Sequence, residues 1–141
     1  MFSLRAYNLY RRSCNIGRMD RELKQKMNSA MQYAIDEGLV VREDELNTGG
    51  LLCCIVRPSG TPMIRFRELG SRNSAEIPTS ERLVAASITE HNGRFLRASD
   101  EHLRAILDSY GLSRLTKNAK TTIEKCLTLR LPAVDQYLAA C

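Results

Sequence analysis

The sequence predicts a mainly helical α+β protein, made of two tandem helix-turn-helix-like units with a small antiparallel β-ribbon. The first observation is an internal repeat: Arg18 and the pattern after it recur 96 positions later at Arg114. The second is a change of hydrophobic period, from about 3.6 to about 2, after Gly38. The third is a series of three helical patterns in the second half of the chain. Because repeated sequence predicts repeated structure, these observations indicate two related units.

The repeat aligns apolar as well as basic positions. Tyr7 corresponds to Leu103, and Met27 corresponds to Ile123. Further pairs at the same spacing are Tyr10 with Ile106, Ile16 with Leu112, Cys126 with Ala30, and Ile35 with Leu131. In both copies a short helical pattern, a turn and a longer basic helical pattern follow one another. That order is typical of a helix-turn-helix.

The first unit, residues 1–70, opens with two helical patterns. The first covers residues 3–13 and is broken by Asn15-Ile16-Gly17. The second runs from about Asp20 to Glu37, with Asp20 as its cap and Gly38 as its end. Its apolar positions keep a helical period and are Leu23, Met27, Ala30, Met31, Ala34 and Ile35.

Three short strands are predicted after the second helix. They cover residues 39–42, 51–56 and 63–67, joined by turns at 47–50 and 58–62. A helix followed directly by a hairpin is the back half of a winged helix. No pattern for a winged helix's first helix precedes residue 3. Either the unit takes that helix from elsewhere, or this chain is the tail of something larger.

The second unit, residues 77–141, contains three helices in helix-turn-helix order. They are predicted at about 79–91, 99–110 and 116–131, after a division of the chain near residues 70–76. Ser99 and Thr116 are the expected caps, and Gly111 ends the middle helix. Pro132 ends the third, and a short helix over about 134–140 follows.

Composition places the chain among soluble globular proteins. Its formal charge of +5 permits nucleic-acid binding without requiring it. The five cysteines have no metal-ligand spacing, so we expect free thiols, mostly buried, in a reducing cytoplasm. No apolar run approaches the ~20 residues that span a bilayer, and the N-terminus has no features of a secretory signal. We therefore expect a cytoplasmic protein without membrane contact.

An ordered series of short motifs carries a resemblance to a known family. The motifs are Glu37-Gly38-Leu39-Val40-Val41-Arg42, Arg57-Pro58, Ile64-Arg65-Phe66-Arg67, Glu76-Ile77-Pro78-Thr79-Ser80-Glu81 and Tyr110-Gly111-Leu112-Ser113-Arg114. Over residues 15–131 the chain resembles a C-terminal, winged-helix-like bacterial domain of unknown function. That domain ends very large helicase–endonuclease proteins linked to restriction–modification and phage defence. Thr79 stands where the family has a second proline, and helicase and nuclease parts are missing here. The resemblance implies a winged-helix accessory role.

No catalytic or metal-binding constellation is predicted. His91 and His102 lie on different predicted helices without carboxylates or cysteines at ligand spacing, and we expect them to be exposed or to cap helices. Glu22-Leu23-Lys24 matches the Glu-x-Lys of restriction-type nucleases, but it lies within a helical pattern. That chemistry needs carboxylates converging on a metal. We therefore expect no enzyme, no cofactor and no metal.

Nucleic-acid binding is the sharper hypothesis. In a helix-turn-helix, the start of the second helix meets base edges or phosphates. The predicted DNA-binding residues are Arg18, Arg21, Lys24, Arg114, Lys117, Asn118, Lys120 and Thr121. Arginine and lysine neutralise phosphate, whereas asparagine can pair with adenine. Arg18 and Arg114 could instead cap the preceding helix, and the acidic residues 43–45 would repel phosphate.

Two functions therefore remain open from sequence. One is a non-catalytic module that binds the phosphate backbone of duplex DNA and targets a helicase or nuclease. The alternative is a protein–protein interaction or oligomerisation module that tethers such an enzyme, with a helicase, a nuclease or a second copy in a homodimer as its partner.

Overall fold

The structure, a computed structural model, describes residues 1–66 and 69–140. Its helices are α1 (Ser3–Ser13), α2 (Arg21–Asp36), α3 (Thr79–Gly93), α4 (Asp100–Asp108), α5 (Lys117–Leu127) and α6 (Pro132–Ala139). Its strands are β1 (Val40–Glu43) and β2 (Ile55–Pro58). Short 3-10 helices cover Leu51–Cys53 and Ser74–Glu76. The prediction of a mainly helical α+β chain with a small antiparallel sheet is confirmed at this level.

The chain divides into two compact units, Met1–Pro62 and Met63–Cys141. The sequence placed the division later, near residues 70–76. The difference arises because Ile64 is 3% exposed and packs with Leu83, Val84 and Val134, all of the second unit. The segment after Pro62 is therefore held by the helices that follow it.

The first unit is built on α1 and a two-stranded antiparallel ribbon. In the ribbon, Val41 pairs with Arg57 and Arg42 with Val56. Phe2 forms an isolated antiparallel bridge to Ile55, so the segment before α1 lies along the free edge of β2. Ser3 and Tyr7 are the buried side chains of α1.

Helix α2 is amphipathic but buries none of its side chains fully. Its sequence period is that of the predicted helix, with Asp20 as the cap and Gly38 in the left-handed conformation at φ +69°. The tyrosine hydroxyl of Tyr7 donates to Asn28 Oδ1 at 3.0 Å, which joins α1 to α2. Leu23, Met27 and Met31 on its apolar face remain only half-buried.

Two predictions for the ribbon were wrong. Residues 51–53 form a 3-10 helix, and the second strand begins only at Ile55. The Sγ–H of Cys54 donates to the Leu51 carbonyl at 2.9 Å, and this local bond turns the chain before the strand starts. Residues 63–66 of the predicted third strand are not extended into the sheet, because Ile64 is buried among helices instead. Arg67, the last residue of that prediction, lies outside the described residues.

Helix α3 is the centre of the second unit. Its residues from Thr79 to Ala86 are all buried, and the helix packs against α4, α5 and α6. Small side chains at Ala85 and Ala86 let Leu103 and Ile106 of α4 approach closely. The same core is completed by Ile77, Leu107, Tyr110 and Ile123.

The ends of the helices in the second unit follow local chemistry. Ser99 caps α4 by accepting from the His102 N–H at 3.2 Å, as predicted. Helix α5 ends at Leu127, four residues earlier than predicted. The Leu129 N–H then bonds to the Cys126 carbonyl, and α6 starts at Pro132, where a proline needs no N–H partner.

Candidate nucleic-acid interface

The two units carry the same turn between their paired helices. Asn15 and Gly111, 96 positions apart, both adopt left-handed backbone, at φ 54° and 73°. In the first turn the Ile16 N–H donates to the Arg11 carbonyl at 2.9 Å. In the second, the N–H of Leu112 donates to the carbonyl of Leu107 at the same distance. This six-to-one bond defines a Schellman ending, so each copy ends its first helix with the same backbone geometry.

The second helix of each pair also begins in the same way. The Asp20 carboxylate accepts from the Leu23 N–H at 2.8 Å. Thr116 Oγ1 accepts from the Ala119 N–H at 3.2 Å, and both members of this pair lie 96 positions after their counterparts. The repeat is therefore present in the backbone from the end of one helix to the start of the next.

The first basic cluster consists of Arg18, Arg21 and Lys24. Arg18 lies in the turn, Arg21 begins α2, and Lys24 lies one turn further along the helix. All three side chains are exposed, and none forms an ion pair or side-chain hydrogen bond with another described residue. These cations are free to meet an anion from solution.

The second basic cluster consists of Arg114, Lys117 and Lys120, at the equivalent positions. Arg114 and Lys117 are exposed, whereas Lys120 Nζ lies 2.6 Å from Asp100 Oδ1. The hydrogen bond from Lys120 lowers the pKa of Asp100, and the same bond raises the pKa of Lys120. The predicted site residue Thr121 is exposed beside this cluster, and Asn118 lines a cavity next to it.

The charges around the two helix starts differ. Helix α5 has no acidic residue in its first turn and a neutral threonine cap. Helix α2 has Asp20 as its cap and Glu22 in its first turn. A helix N-terminus attracts anions, so the start of α5 offers phosphate a positive environment. At the start of α2 the carboxylates of Asp20 and Glu22 weaken that attraction. Glu22 lies within the helix and pairs with Lys26 at 2.7 Å.

The acidic residues after β1 are largely occupied within the first unit. Glu43 Oε1 lies 2.6 Å from Arg57 Nε. Asp44 accepts from the N–H groups of Thr48 and Gly49, and these bonds lower the pKa of its carboxyl group. The acidic segment 43–45 therefore repels phosphate less than its sequence indicates, because Glu43 and Asp44 have partners within the first unit.

The alternative that Arg18 and Arg114 cap the preceding helices finds no support in their contacts. In the first unit it is Arg11 that bonds the turn after α1: its Nη1 donates to the Ile16 carbonyl at 2.7 Å and to the Gly17 carbonyl. No such side-chain bond is seen for Arg18 or Arg114 among the described residues. Arg18 and Arg114 occupy equivalent repeat positions, but neither side chain forms a hydrogen bond to its turn among the described residues.

The expectation that both histidines are exposed or capping was wrong for one of them. His91 is exposed, but His102 is fully buried. Its Nδ1 accepts from the Ala98 N–H at 3.1 Å, and its Nε2 lies 3.0 Å from the Ala86 carbonyl. This ring therefore ties α4 to α3, because it can serve a donor and an acceptor at once.

Cysteine burial was also overestimated. Cys54 and Cys126 are buried, whereas Cys14 and Cys53 are exposed, and all four are free. Cys141 lies outside the described residues. Within residues 1–66 and 69–140, no group of three His, Cys, Asp or Glu side chains is placed to hold a metal ion. Over that same part of the chain, no helix has the length and apolar character needed to cross a membrane.

Sequence reasoning missed four charged residues that organise the second unit. Asp100 accepts a hydrogen bond from Lys120, 20 positions later in the sequence. Arg72 and Glu81 form a buried bidentate pair, with distances of 2.7 and 2.9 Å. Arg82 is buried beside them. The available signal was the pair Glu81-Arg82 within a run of small and apolar residues, where a buried charge requires a partner.

Comparison of the chain with protein-family models, curated proteins and solved structures finds no match. The function must therefore be inferred from the residues and their arrangement.

Proposed function

We propose that this chain is a non-catalytic DNA-binding module, which contacts the phosphates of duplex DNA through its two helix-turn-helix segments. The observation that carries the proposal is the conserved geometry of the two turns within the chain. Arg18 and Arg114 precede their caps by two residues, Arg21 and Lys117 begin their helices, and Lys24 and Lys120 follow one turn later. Two copies of one backbone each present cations at the same three positions.

Cations at these positions are better explained by phosphate binding than by a contribution to the stability of the fold. The first basic cluster has no partner among the described residues, and only Lys120 of the second is paired. Holding several like charges together without counterions is unfavourable until an anion arrives. Phosphate contacts fix position on DNA without reading sequence, so the proposal is for binding of low sequence specificity.

The direct test is the salt dependence of binding to a mixed-sequence duplex, followed by fluorescence anisotropy from about 50 to 200 mM salt. Each phosphate neutralised contributes about 0.9 to the slope of log affinity against log salt. The double variant Lys117→Glu/Lys120→Glu is expected to weaken binding strongly, because it reverses two charges of the second basic cluster and leaves only the first to contact phosphate. Its matched control is Lys125→Glu/Arg130→Glu, which makes the same charge change at exposed positions further along the second unit.

The outcomes separate cluster-specific binding from general basicity. A large loss in the cluster variant with a small loss in the control supports the proposal. Equal losses in both variants would mean that net charge alone drives association. Absence of binding at the lowest salt, or an affinity that the cluster variant leaves unchanged, would contradict it.

A second candidate is a protein-interaction or oligomerisation module, and one feature of the first unit favours it. Helix α2 has no buried side chain, and the exposed Tyr10, Tyr33 and Leu39 leave apolar surface in solution at exposures of 55%, 63% and 63%. Light scattering after size exclusion tests self-association. A monomer at all concentrations would remove the homodimer, and a dimer broken by Tyr33→Ser would support it.

The proposed biological setting is a helicase or nuclease system of restriction and phage defence, which rests on the motif resemblance alone. A helicase or nuclease encoded beside this chain would supply the partner. Direct binding between the two purified proteins, or stimulation of that enzyme on DNA by the chain, would support the accessory role. If DNA contact is the means of targeting, the cluster variant should still bind the enzyme directly but should lose the stimulation on DNA.

A further inference from the structure

A cavity of about 310 Å³ lies within the second unit, beside the starts of α3 and α5. Its floor is apolar and includes Ile106, Leu107 and Ile123. Polar side chains from three segments, Arg82, Asn118 and Thr122, line it as well. Ligand pockets of roughly 300–1,000 Å³ combine such apolar walls with a few polar groups, so the cavity falls at the small end of that range.

The charge of Arg82 distinguishes this cavity from a packing defect. Arg82 is only 9% exposed, yet its two side-chain partners among the described residues, a carbonyl oxygen and a thiol sulfur, are uncharged. Its Nη2 donates to the Ser74 carbonyl, and its Nη1 lies 3.7 Å from Cys126 Sγ. No carboxylate pairs with it among residues 69–140. A guanidinium has five N–H donors, so these two contacts leave others for a further acceptor.

The neighbouring carboxylate is already engaged. Glu81 accepts both bonds of the bidentate pair with Arg72, whose side chain is 5% exposed. The hydroxyl of Tyr110 donates to the Glu81 backbone carbonyl at 3.1 Å. Among the described residues, no carboxylate therefore pairs with the guanidinium of Arg82, which lines the cavity. A buried charge is costly without a counterion, and an anion in the cavity would supply it.

We propose that this cavity binds a small organic carboxylate, with its carboxylate on Arg82 and its compact apolar body over Ile106 and Ile123. Arginine is suited to this because its planar fork matches the two oxygens of a carboxylate. Asn118 and Thr122 can donate further hydrogen bonds at the polar wall. The proposal does not rest on DNA binding, since neither basic cluster includes Arg82, although Asn118 belongs both to the cavity wall and to the predicted DNA-binding residues.

The test uses 1-naphthoate and its neutral analogue 1-naphthalenemethanol as probes of the full chain. Calorimetry is expected to give saturable binding of the acid, at least about tenfold tighter than the alcohol. Amide chemical shifts should change at Leu107, Ala119 and Thr122, which surround the cavity. The variant Arg82→Met should lose about tenfold in affinity for the acid while changing little for the alcohol. Arg104→Met, at an exposed arginine of α4, is the matched control and should bind the acid like the parent chain.

A second variant is needed in case Arg82→Met fails to fold, because Arg82 also donates a hydrogen bond to the Ser74 carbonyl. Thr122→Phe changes an exposed position of α5 and directs an aromatic ring at the cavity, so it should block both probes while the helical circular dichroism is kept. The proposal is overturned if the acid does not bind saturably, if acid and alcohol bind equally, or if shifts cluster away from the cavity. Unchanged binding of the acid to a folded Thr122→Phe variant would overturn it as well.

Discussion

Lys120 Nζ donates to Asp100 Oδ1 at 2.6 Å and joins α5 to the first turn of α4. The equivalent positions of the first unit hold Lys24 and Leu4, so the corresponding lysine has no carboxylate to meet. The two copies of the turn are thus alike in backbone and different in charge. In the second copy, an internal carboxylate competes with any external phosphate for one of the three cations.

Removing that competition should strengthen DNA binding. Asp100→Asn is expected to raise the affinity for duplex DNA severalfold at about 50 mM salt and to steepen the salt slope by about 1, because one more cation meets phosphate. The pair is half-exposed, so its loss should change the free energy of unfolding little. The control Asp108→Asn removes an equal charge at an exposed position of the same helix. Equal gains in the two variants would exclude a specific release of Lys120.

The left-handed turn residues should respond to substitution according to their backbone. Gly111→Ala is expected to lower the free energy of unfolding by about 1 kcal/mol, because a Cβ is disfavoured at φ +73° although it would meet no atom. Gly111→Asn should cost less, since asparagine tolerates this region and occupies it at Asn15. Urea denaturation gives the values. Gly17→Ala is the control, because that glycine has neither a positive φ nor a neighbour within 4 Å. A loss at Gly17 as large as at Gly111 would contradict the account of the turn.

Breaking the buried Arg72–Glu81 pair should be among the most damaging single changes in the second unit. Glu81→Gln is expected to cost about 3–5 kcal/mol, because it leaves the guanidinium of Arg72 without its charge partner in a buried site. The double variant Arg72→Met/Glu81→Leu should recover part of that loss, since neither charge then remains buried. Thermal and urea unfolding measure both. A single variant as stable as the double one would show that the pair contributes little.

Asp44 should make the first unit sensitive to acid. Bonds from the Thr48 and Gly49 N–H groups lower the pKa of its carboxyl group below the ordinary value of 3.8. A lowered folded pKa gives stability that is present above the unfolded value and is lost as pH falls through the folded value. The difference in unfolding free energy between the parent chain and Asp44→Asn should therefore shrink as pH falls from about 6 to about 2. Asp108→Asn provides the comparison, and a constant difference for Asp44→Asn would be contrary to this expectation.

Local chemistry made the helix boundaries predictable. Asp20, Ser99 and Thr116 each have a side-chain oxygen that accepts an N–H three residues on, so a cap can be recognised from sequence alone. Gly111 likewise marks the left-handed end of a helix. These interactions involve neighbours in the chain, and the repeat of 96 positions places the Asp20 cap again at Thr116. The helix ends and the turns between them were therefore within reach of sequence analysis.

Contacts between distant residues were not predictable in the same way. The periodicity of residues 51–56 fits a strand, but the bond from Cys54 to Leu51 bends the first half into a 3-10 helix. The alternation around Ile64 also fits a strand, yet that side chain is buried among α3 and α6. His102 gave no sign of burial, because its two partners are backbone groups of other segments. The charge of the second basic cluster also differs from the sequence prediction, because Lys120 pairs with Asp100, 20 positions earlier in the chain.

The most direct test of the proposed DNA contact by the two turns is a titration of the full chain with a short duplex at about 50 mM salt, followed by amide chemical shifts. The account predicts changes confined mainly to residues 18–25 and 114–121, both reduced together when salt is raised to about 200 mM. Changes in only one of these segments would contradict the claim that the two turns are equivalent contacts. Changes elsewhere in the chain, with both segments silent, would contradict the DNA interface altogether.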